Sequence, residues 1–256
     1  MKKAFSLIMA LALVLVFAAV VCAAKGATVY VTIINAEPVL VRQAVELSDI
    51  DGDGALTIND ALYLAHEAGY EGGAAAGYAS AQSDWGLSLA KLWGVENGGS
   101  YGYYVNDGMA NGLTDALTDG DEIVAFVYTD TAYFSDAYSY FDQKTCADGA
   151  ELTFYLCGFD ENWALVSAPA AGAEITIDGV KTGIKTDANG KARIYAAEKG
   201  EHVVSAVLDG TLIVPPVSVL TKRDSSPKTG DTGIIALAII GALSLAAFAA
   251  AKSKKG

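Results

Sequence analysis

Between residues 49 and 60 the chain reads Asp49-Ile-Asp51-Gly-Asp53-Gly54-Ala55-Leu-Thr57-Ile58-Asn-Asp60. Three aspartates alternate, a glycine follows, and oxygen-bearing groups return at the seventh, ninth and twelfth positions. A calcium loop needs hard oxygen ligands at positions 1, 3, 5, 7, 9 and 12, with glycine at position 6 for the sharp turn. Asp49, Asp51 and Asp53 supply carboxylates, Gly54 the turn, Ala55 a backbone carbonyl, and Thr57 a hydroxyl or its bound water. Asp60 closes the set, and Ile58 pins the loop to a core. Thr57-Ile-Asn-Asp60 is also a capping-box pattern. A helix cap accounts for Thr57 and Asp60, but for neither the alternating aspartates nor Gly54. The expected cofactor is Ca2+, holding the corner between a strand and a helix, with the weak affinity of extracellular modules, roughly 0.1–1 mM.

Elements must position that loop. Alternating apolar residues predict strands at 27–34 and 39–46 before it, and a helix over 59–67 after it, with Ala61, Leu62, Leu64 and Ala65 on its apolar face. Glu71-Gly-Gly-Ala-Ala-Ala-Gly-Tyr78 reads as a flexible stretch. Strands return at Tyr101–Val105 and 122–129. The loop resembles an EF-hand, with Asp rather than Glu at position 12 and a strand rather than a helix leading in. Both departures resemble dockerin-type loops, which come in pairs. One loop alone does not imply a cohesin partner.

The remaining candidates are aromatic. Tyr101, Tyr103 and Tyr104 form one cluster, and Tyr133, Phe134, Tyr138, Tyr140 and Phe141 another. Tyr101, Tyr103, Tyr138 and Tyr140 are candidate ligand contacts, since exposed aromatics stack on sugars or grip a partner. Alternate aromatics on a strand equally serve a core, and Trp85 and Trp93 read as core residues. Exposed tyrosines around a concave pocket would favour small-ligand capture, a flat patch a macromolecular partner, and buried tyrosines a structural role. His66 reads as a surface or capping residue, and His202 opens a strand. No GxSxG, HExxH, CxxC or Walker pattern occurs, so no enzyme activity is expected.

Both ends read as addresses. Lys2-Lys3, the apolar run 4–21 and the small residues Ala23 and Ala24 form a secretory signal peptide over 1–24. Near the other end, Ser226-Pro227-Lys228-Thr229-Gly230 precedes the apolar stretch 233–251 and the basic tail Lys252-Ser-Lys-Lys255. Nineteen residues at 1.5 Å rise reach roughly 28 Å, enough for a transmembrane helix. This order resembles a Gram-positive sortase sorting signal of the LPxTG type, matched at Pro227, Thr229 and Gly230, with Ser226 in the place of the usual Leu. The resemblance implies sortase and peptidoglycan as partners, Thr229 as the residue joined to the wall, and membrane attachment through the C-terminal helix before sorting. The expected location is extracellular and cell-wall-anchored.

The whole chain has 256 residues, 52% hydrophobic and 18% charged, with 17 bases against 30 acids and a net charge of −13. Without the two addresses, 12 bases face 29 acids. Such an ectodomain repels nucleic acid and anionic membrane surfaces. Residues 25–144 hold 4 bases and 18 acids, while 145–229 hold 8 and 11. That shift places a boundary near Lys144, so domains are expected at 25–144 and 145–224, followed by the sorting signal at 225–256.

The run Ser100-Tyr-Gly-Tyr-Tyr-Val-Asn-Asp-Gly108 with Gly120-Asp-Glu-Ile123 resembles the transcobalamin C-terminal-like domain of bacterial surface proteins, over roughly 27–130. It implies a small β-grasp-like domain with one helix. Pro169 to Gly179, Thr186-Asp-Ala-Asn-Gly190 and Ala192-Arg-Ile194 resemble the carboxypeptidase-regulatory, transthyretin-like repeat, which implies a small β-sandwich that spaces or presents other domains. Its short strands, at 152–156, 173–177, 192–195, 202–207 and 211–214, are separated by glycine turns. The fold class expected is thus mainly β (α+β). Cys146 and Cys157 flank the turn at 147–150; a hairpin there would hold them roughly 20 Å apart, so two free thiols are expected. The function expected is adhesion or recognition of an unidentified extracellular ligand. The alternatives are capture of a corrinoid or glycan, or a purely structural surface subunit.

Overall fold

The computed structural model describes residues 26–223 apart from positions 85, 97, 99 and 100. The expected leader, the pentapeptide at 226–230, the apolar stretch 233–251 and Trp85 lie outside the described residues. No helix among the described residues is long and apolar enough to cross a membrane. Strand makes up 49% and helix 9%, in several sheets, so the mainly β expectation holds.

The first half is built on β1 (Thr28–Asn35) and β2 (Glu37–Glu46), an antiparallel hairpin. Val29, Val31 and Ile33 alternate to one face of β1 and are fully buried, as a period of two requires. Then come α1 (Ile58–Gly69), α2 (Gly73–Gly77), β3 (Ala79–Ser83), β4 (Gly86–Lys91), β5 (Tyr101–Val105), β6 (Gly108–Met109) and β7 (Glu122–Val127). The sheet order is β2-β1-β7-β5-β6, with β7 parallel to β1 at its centre. Ile58, Leu62 and Ala65 of α1 recur at helical spacing and join Val29, Val31 and Ile33 in one core. The stretch 71–78, read as flexible, contains α2. Gly72 and Gly73 turn the chain at φ 88° and 69°, a region open to glycine without steric cost, and Glu67 accepts the Ala74 amide at 2.9 Å. Hairpin β3–β4 escapes sequence reading because its Ala-Ser-Ala-Gln-Ser strand has no β-branched or aromatic residue.

The second half comprises β8 (Ala137–Phe141), β9 (Thr145–Ala147), β10 (Glu151–Phe159), β11 (Leu165–Pro169), β12 (Glu174–Ile177), β13 (Val180–Lys185), β14 (Lys191–Arg193), β15 (Gly200–Val207), β16 (Ile213–Val214) and β17 (Ser218–Lys222). One sheet has the order β11-β10-β8-β16, with β14 also on β10; the other runs β13-β12-β15-β17-β9. Phe141, Leu152, Phe154, Ile175, Ile194, Val204 and Leu220 form the core they share. The turn at 147–150 closes no hairpin. β9 runs parallel to β17, while β10 pairs with β8. Cys146 and Cys157 thus lie in different sheets and are free, buried thiols. Burial raises both thiols, Cys157 to about 11, so neither is a ready nucleophile.

Backbone pairing changes partner between β7 and β8, ahead of the charge shift at Lys144. A third apolar cluster, Ile34, Tyr104, Phe126, Tyr138, Cys157 and Val214, draws on both halves. Beside it, Lys144 contacts Asp107 at 2.6 Å, and the Tyr138 hydroxyl donates to the same carboxylate at 2.9 Å. Arg42 grips Glu122 through two nitrogens and lies 4.1 Å over the Tyr30 ring.

Candidate metal centre

The loop is held at both ends before any cation is considered. At its start the Leu47 amide donates to Ala27 at 2.8 Å. At its end Thr57 bridges to Ala116, and Ile58 is fully buried. Gly52 and Gly54 take φ of 78° and 86°, with open space where a Cβ would stand. Those left-handed turns fold the three aspartates back on one another. Their ligand oxygens all lie within 4.8 Å, and all three residues are exposed.

Backbone amides organise the cluster. Asp49 accepts from Gly52 at 2.7 Å, Gly54 at 2.9 Å and Asp53 at 3.2 Å. The amide of Asp53 also lies 3.3 Å from Asp51, and that of Ala55 donates to Asp53 at 2.8 Å. The Gly54 amide, joined by those of Gly52 and Asp53, holds the Asp49 carboxyl below the usual carboxylate range. Three hard oxygen donors in an exposed loop could hold a metal ion and offer nothing to a thiophilic one.

Thr57 and Asp60 go elsewhere. Thr57 is the N-cap of α1, and Asp60 completes the capping box. The Asp60 carboxylate is fully buried. It accepts the Ile50 amide at 2.9 Å and both the amide and hydroxyl of Thr57 at 2.8 Å. Asp60, expected as the closing ligand, does not group with the three exposed aspartates; its carboxylate faces the Ile50 amide and the Thr57 cap instead. Ala55 stays in the loop beside the triad. In place of the distal pair, the structure brings in Asn59. Its side-chain amide donates to Asp51 at 3.2 Å and accepts the Tyr78 hydroxyl at 2.8 Å. The available signal was helical spacing, since Asn59 and His66 are seven apart and share a face of α1 with Leu62.

His66 is not a surface residue. It is fully buried among Tyr70, Tyr78 and Trp93, with Tyr78 and Trp93 ring centroids 5.2 Å away. Nδ1 donates to the Leu62 carbonyl at 2.6 Å, and Nε2 accepts the Trp93 amide at 2.9 Å. That second bond fixes the neutral tautomer, and burial pushes the imidazole down to about 4. Trp93 packs partly buried against the core, as expected.

The four candidate tyrosines form no open platform. Tyr101 is buried, its hydroxyl donating to the carbonyls of Val95 at 2.8 Å and Ala90 at 3.0 Å. Tyr138 is buried and stacked on Tyr104 at 3.8 Å. Tyr103 is half-buried against the first core. Tyr140 is half-buried, stacked on Tyr155 at 5.0 Å and bonded to Ser167. Tyr101 and Tyr138 are too buried to present a ring to a ligand, while Tyr103 and Tyr140, two residues along the same strands, keep part of their surface. No protein-family model matches this chain, and no curated protein matches it in sequence.

Proposed function

We propose that the chain is a calcium-binding, cell-wall-anchored surface protein whose calcium stiffens the corner between β2 and α1. The observation that carries the reading is the convergence of Asp49, Asp51 and Asp53 within 4.8 Å on glycine turns. In this reading the three carboxylates hold Ca2+, with the Ala55 carbonyl and water completing the shell, while Thr57 and Asp60 cap the helix. Calcium supplies charge neutralisation and cross-linking, and no step of chemistry. The strand order β2-β1-β7-β5-β6 with β1 parallel to β7 supports a β-grasp-like first domain of the transcobalamin C-terminal-like kind. The two sheets around one core support a carboxypeptidase-regulatory-like sandwich acting as a stalk. The sorting signal at 226–230 and the apolar stretch after it carry the proposed anchorage by sortase to peptidoglycan.

Within this reading the protein recognises an extracellular ligand. The burial of Tyr101 and Tyr138, in two separate cores, favours a structural role for these tyrosines over capture of a corrinoid or glycan. Calcium at about ten times its dissociation constant is expected to raise the melting temperature by about 4 °C. Asp51→Asn combined with Asp53→Asn abolishes the shift. Asp60→Asn lowers the melting temperature equally with and without calcium, since it weakens a cap. No shift in the parent chain at about 10 mM calcium would sink the calcium reading. A shift lost in Asp60→Asn would restore Asp60 as a ligand.

A further inference from the structure

Val180 and Tyr195 are exposed singly, but four large aromatic residues are exposed together. Tyr133 is 84% exposed, Trp163 83%, Phe159 53% and Phe134 51%. The register gathers these four at one end of one sheet. Ser139 of β8 pairs with Leu156 of antiparallel β10, so the same register carried onward sets Phe159 opposite Asp136, at the end of the loop bearing Tyr133 and Phe134. β11 returns with Leu165 opposite Phe159, which places Trp163 in the intervening turn. The Phe159 and Trp163 rings are 6.4 Å apart. Leu212, also exposed, joins the same end through its carbonyl, which accepts the Ala137 amide at 2.9 Å.

Both loops are stiff. Asp130 accepts the amides of Ala132 and Tyr133 and the Ser135 hydroxyl, and Asp160 accepts the amides of Asn162 and Ala164. Phe134 and Trp163 sit at φ of 53° and 61°, a costly conformation for bulky residues. Rings displayed on fixed loops lose little entropy on binding.

We propose that this end of the β8–β10 sheet, formed by loops 130–136 and 160–164, docks a polypeptide segment that carries Lys or Arg among apolar residues. The proposal deepens the recognition reading by naming a surface and a class of partner, and it does not depend on the calcium loop. Charge complementarity carries it. The two loops expose Asp160 and Glu161 and half-expose Asp130, with Asp136 buried behind them and no Lys or Arg. The Ser135 hydroxyl and the Tyr133 and Ala132 amides keep Asp130 ionised, and the Ala164 and Asn162 amides do the same for Asp160. Aromatic faces beside fixed negative charge attract cations and repel nucleic acid and anionic lipid.

The test is calorimetric titration of the full secreted chain with three probes: a short peptide of alternating Lys and Leu, its Glu and Leu counterpart, and cellohexaose. The Lys peptide is expected to bind and the Glu peptide not to. Trp163→Ala with Tyr133→Ala weakens the Lys peptide at least about tenfold, and raising salt from about 0.05 to 0.5 M weakens it further. Both positions are exposed, so the fold is retained. No binding of the Lys peptide, or binding unchanged by the double variant, would overturn the proposal. Cellohexaose binding without peptide binding would overturn it too, while leaving the recognition reading standing. Failure here leaves calcium untouched, because melting tests that independently.

Discussion

Acidification from pH 7 to pH 4 is expected to remove about 3 kcal/mol of stability through His66 alone, whose imidazole is held down to about 4 by burial. The folded value lies below the ordinary 6.5, so the unfolded chain takes up the proton first. Stability is therefore full above pH 6.5 and declines as the pH falls through the folded value. Protonation cannot be accommodated locally. Nε2 accepts the Trp93 amide, and a proton there would set two donors against each other inside an aromatic box. His202 acts in the opposite sense. Its bond to Asp178, helped by the Glu198 carbonyl and opposed by burial, leaves it raised, so its contribution is present at low pH and lost on alkalinisation. The exposed partner keeps that term small.

Urea unfolding at a series of pH values reads the His66 term. His66→Gln keeps an acceptor for the Trp93 amide and removes the titration. The variant is expected to lose about 1–2 kcal/mol near neutrality and to show a flattened profile between about pH 6.5 and 4.5. A profile parallel to that of the parent would show that His66 does not carry the dependence. The carboxylates with lowered values, Asp49 and Asp121 among them, act in the same direction but at lower pH.

The sequence made the metal loop legible because its signal is local: alternating carboxylates and a glycine, all within one turn of chain. It also made α1 legible, since Ala61, Leu62 and Ala65 offer an apolar face at helical spacing. What it concealed was competition for the same oxygens. Asp60 fits position 12 of a calcium loop and the third residue of a helix equally well, and the cap donors Thr57 and Ile50 take it. His66 looked peripheral because its partners, Tyr78 and Trp93, come from later elements that fold back over α1. The tyrosines divide by element: Tyr138 packs inward on β8, while Tyr133 is exposed in the loop before it. Nothing in the composition placed β8 in the second sheet, for charge counts describe surfaces and β8 is chosen by backbone pairing with β10.

Backbone pairing of β5 with β7 underlies the other large effect, at Gly102. Gly102 of β5 lies opposite Phe126 of β7, and a Cβ at position 102 would stand 2.1 Å from Phe126 Cζ and within 2.7 Å of two more ring carbons. The ring cannot swing aside, because it is 1% exposed and closed in by Tyr128 at 4.9 Å, Tyr104 at 6.1 Å and Tyr138 at 6.4 Å. An aromatic ring laid over a strand glycine fills space that no other residue pair at those positions would. Gly102→Ala is therefore expected to cost about 3 kcal/mol, and Phe126→Ala about 3–5 kcal/mol by opening a cavity. The double variant decides the mechanism. With the ring gone, alanine at 102 meets no obstacle, so the two losses should fall short of additivity by about 2 kcal/mol. Additive losses would place the cost of Gly102→Ala in the strand backbone instead. The same ring belongs to the cluster shared by both halves, with Tyr138 and Val214 on the far side. The parent chain should accordingly melt in one transition, and Phe126→Ala should separate it into two, with the first half melting first because it loses the larger share of its packing.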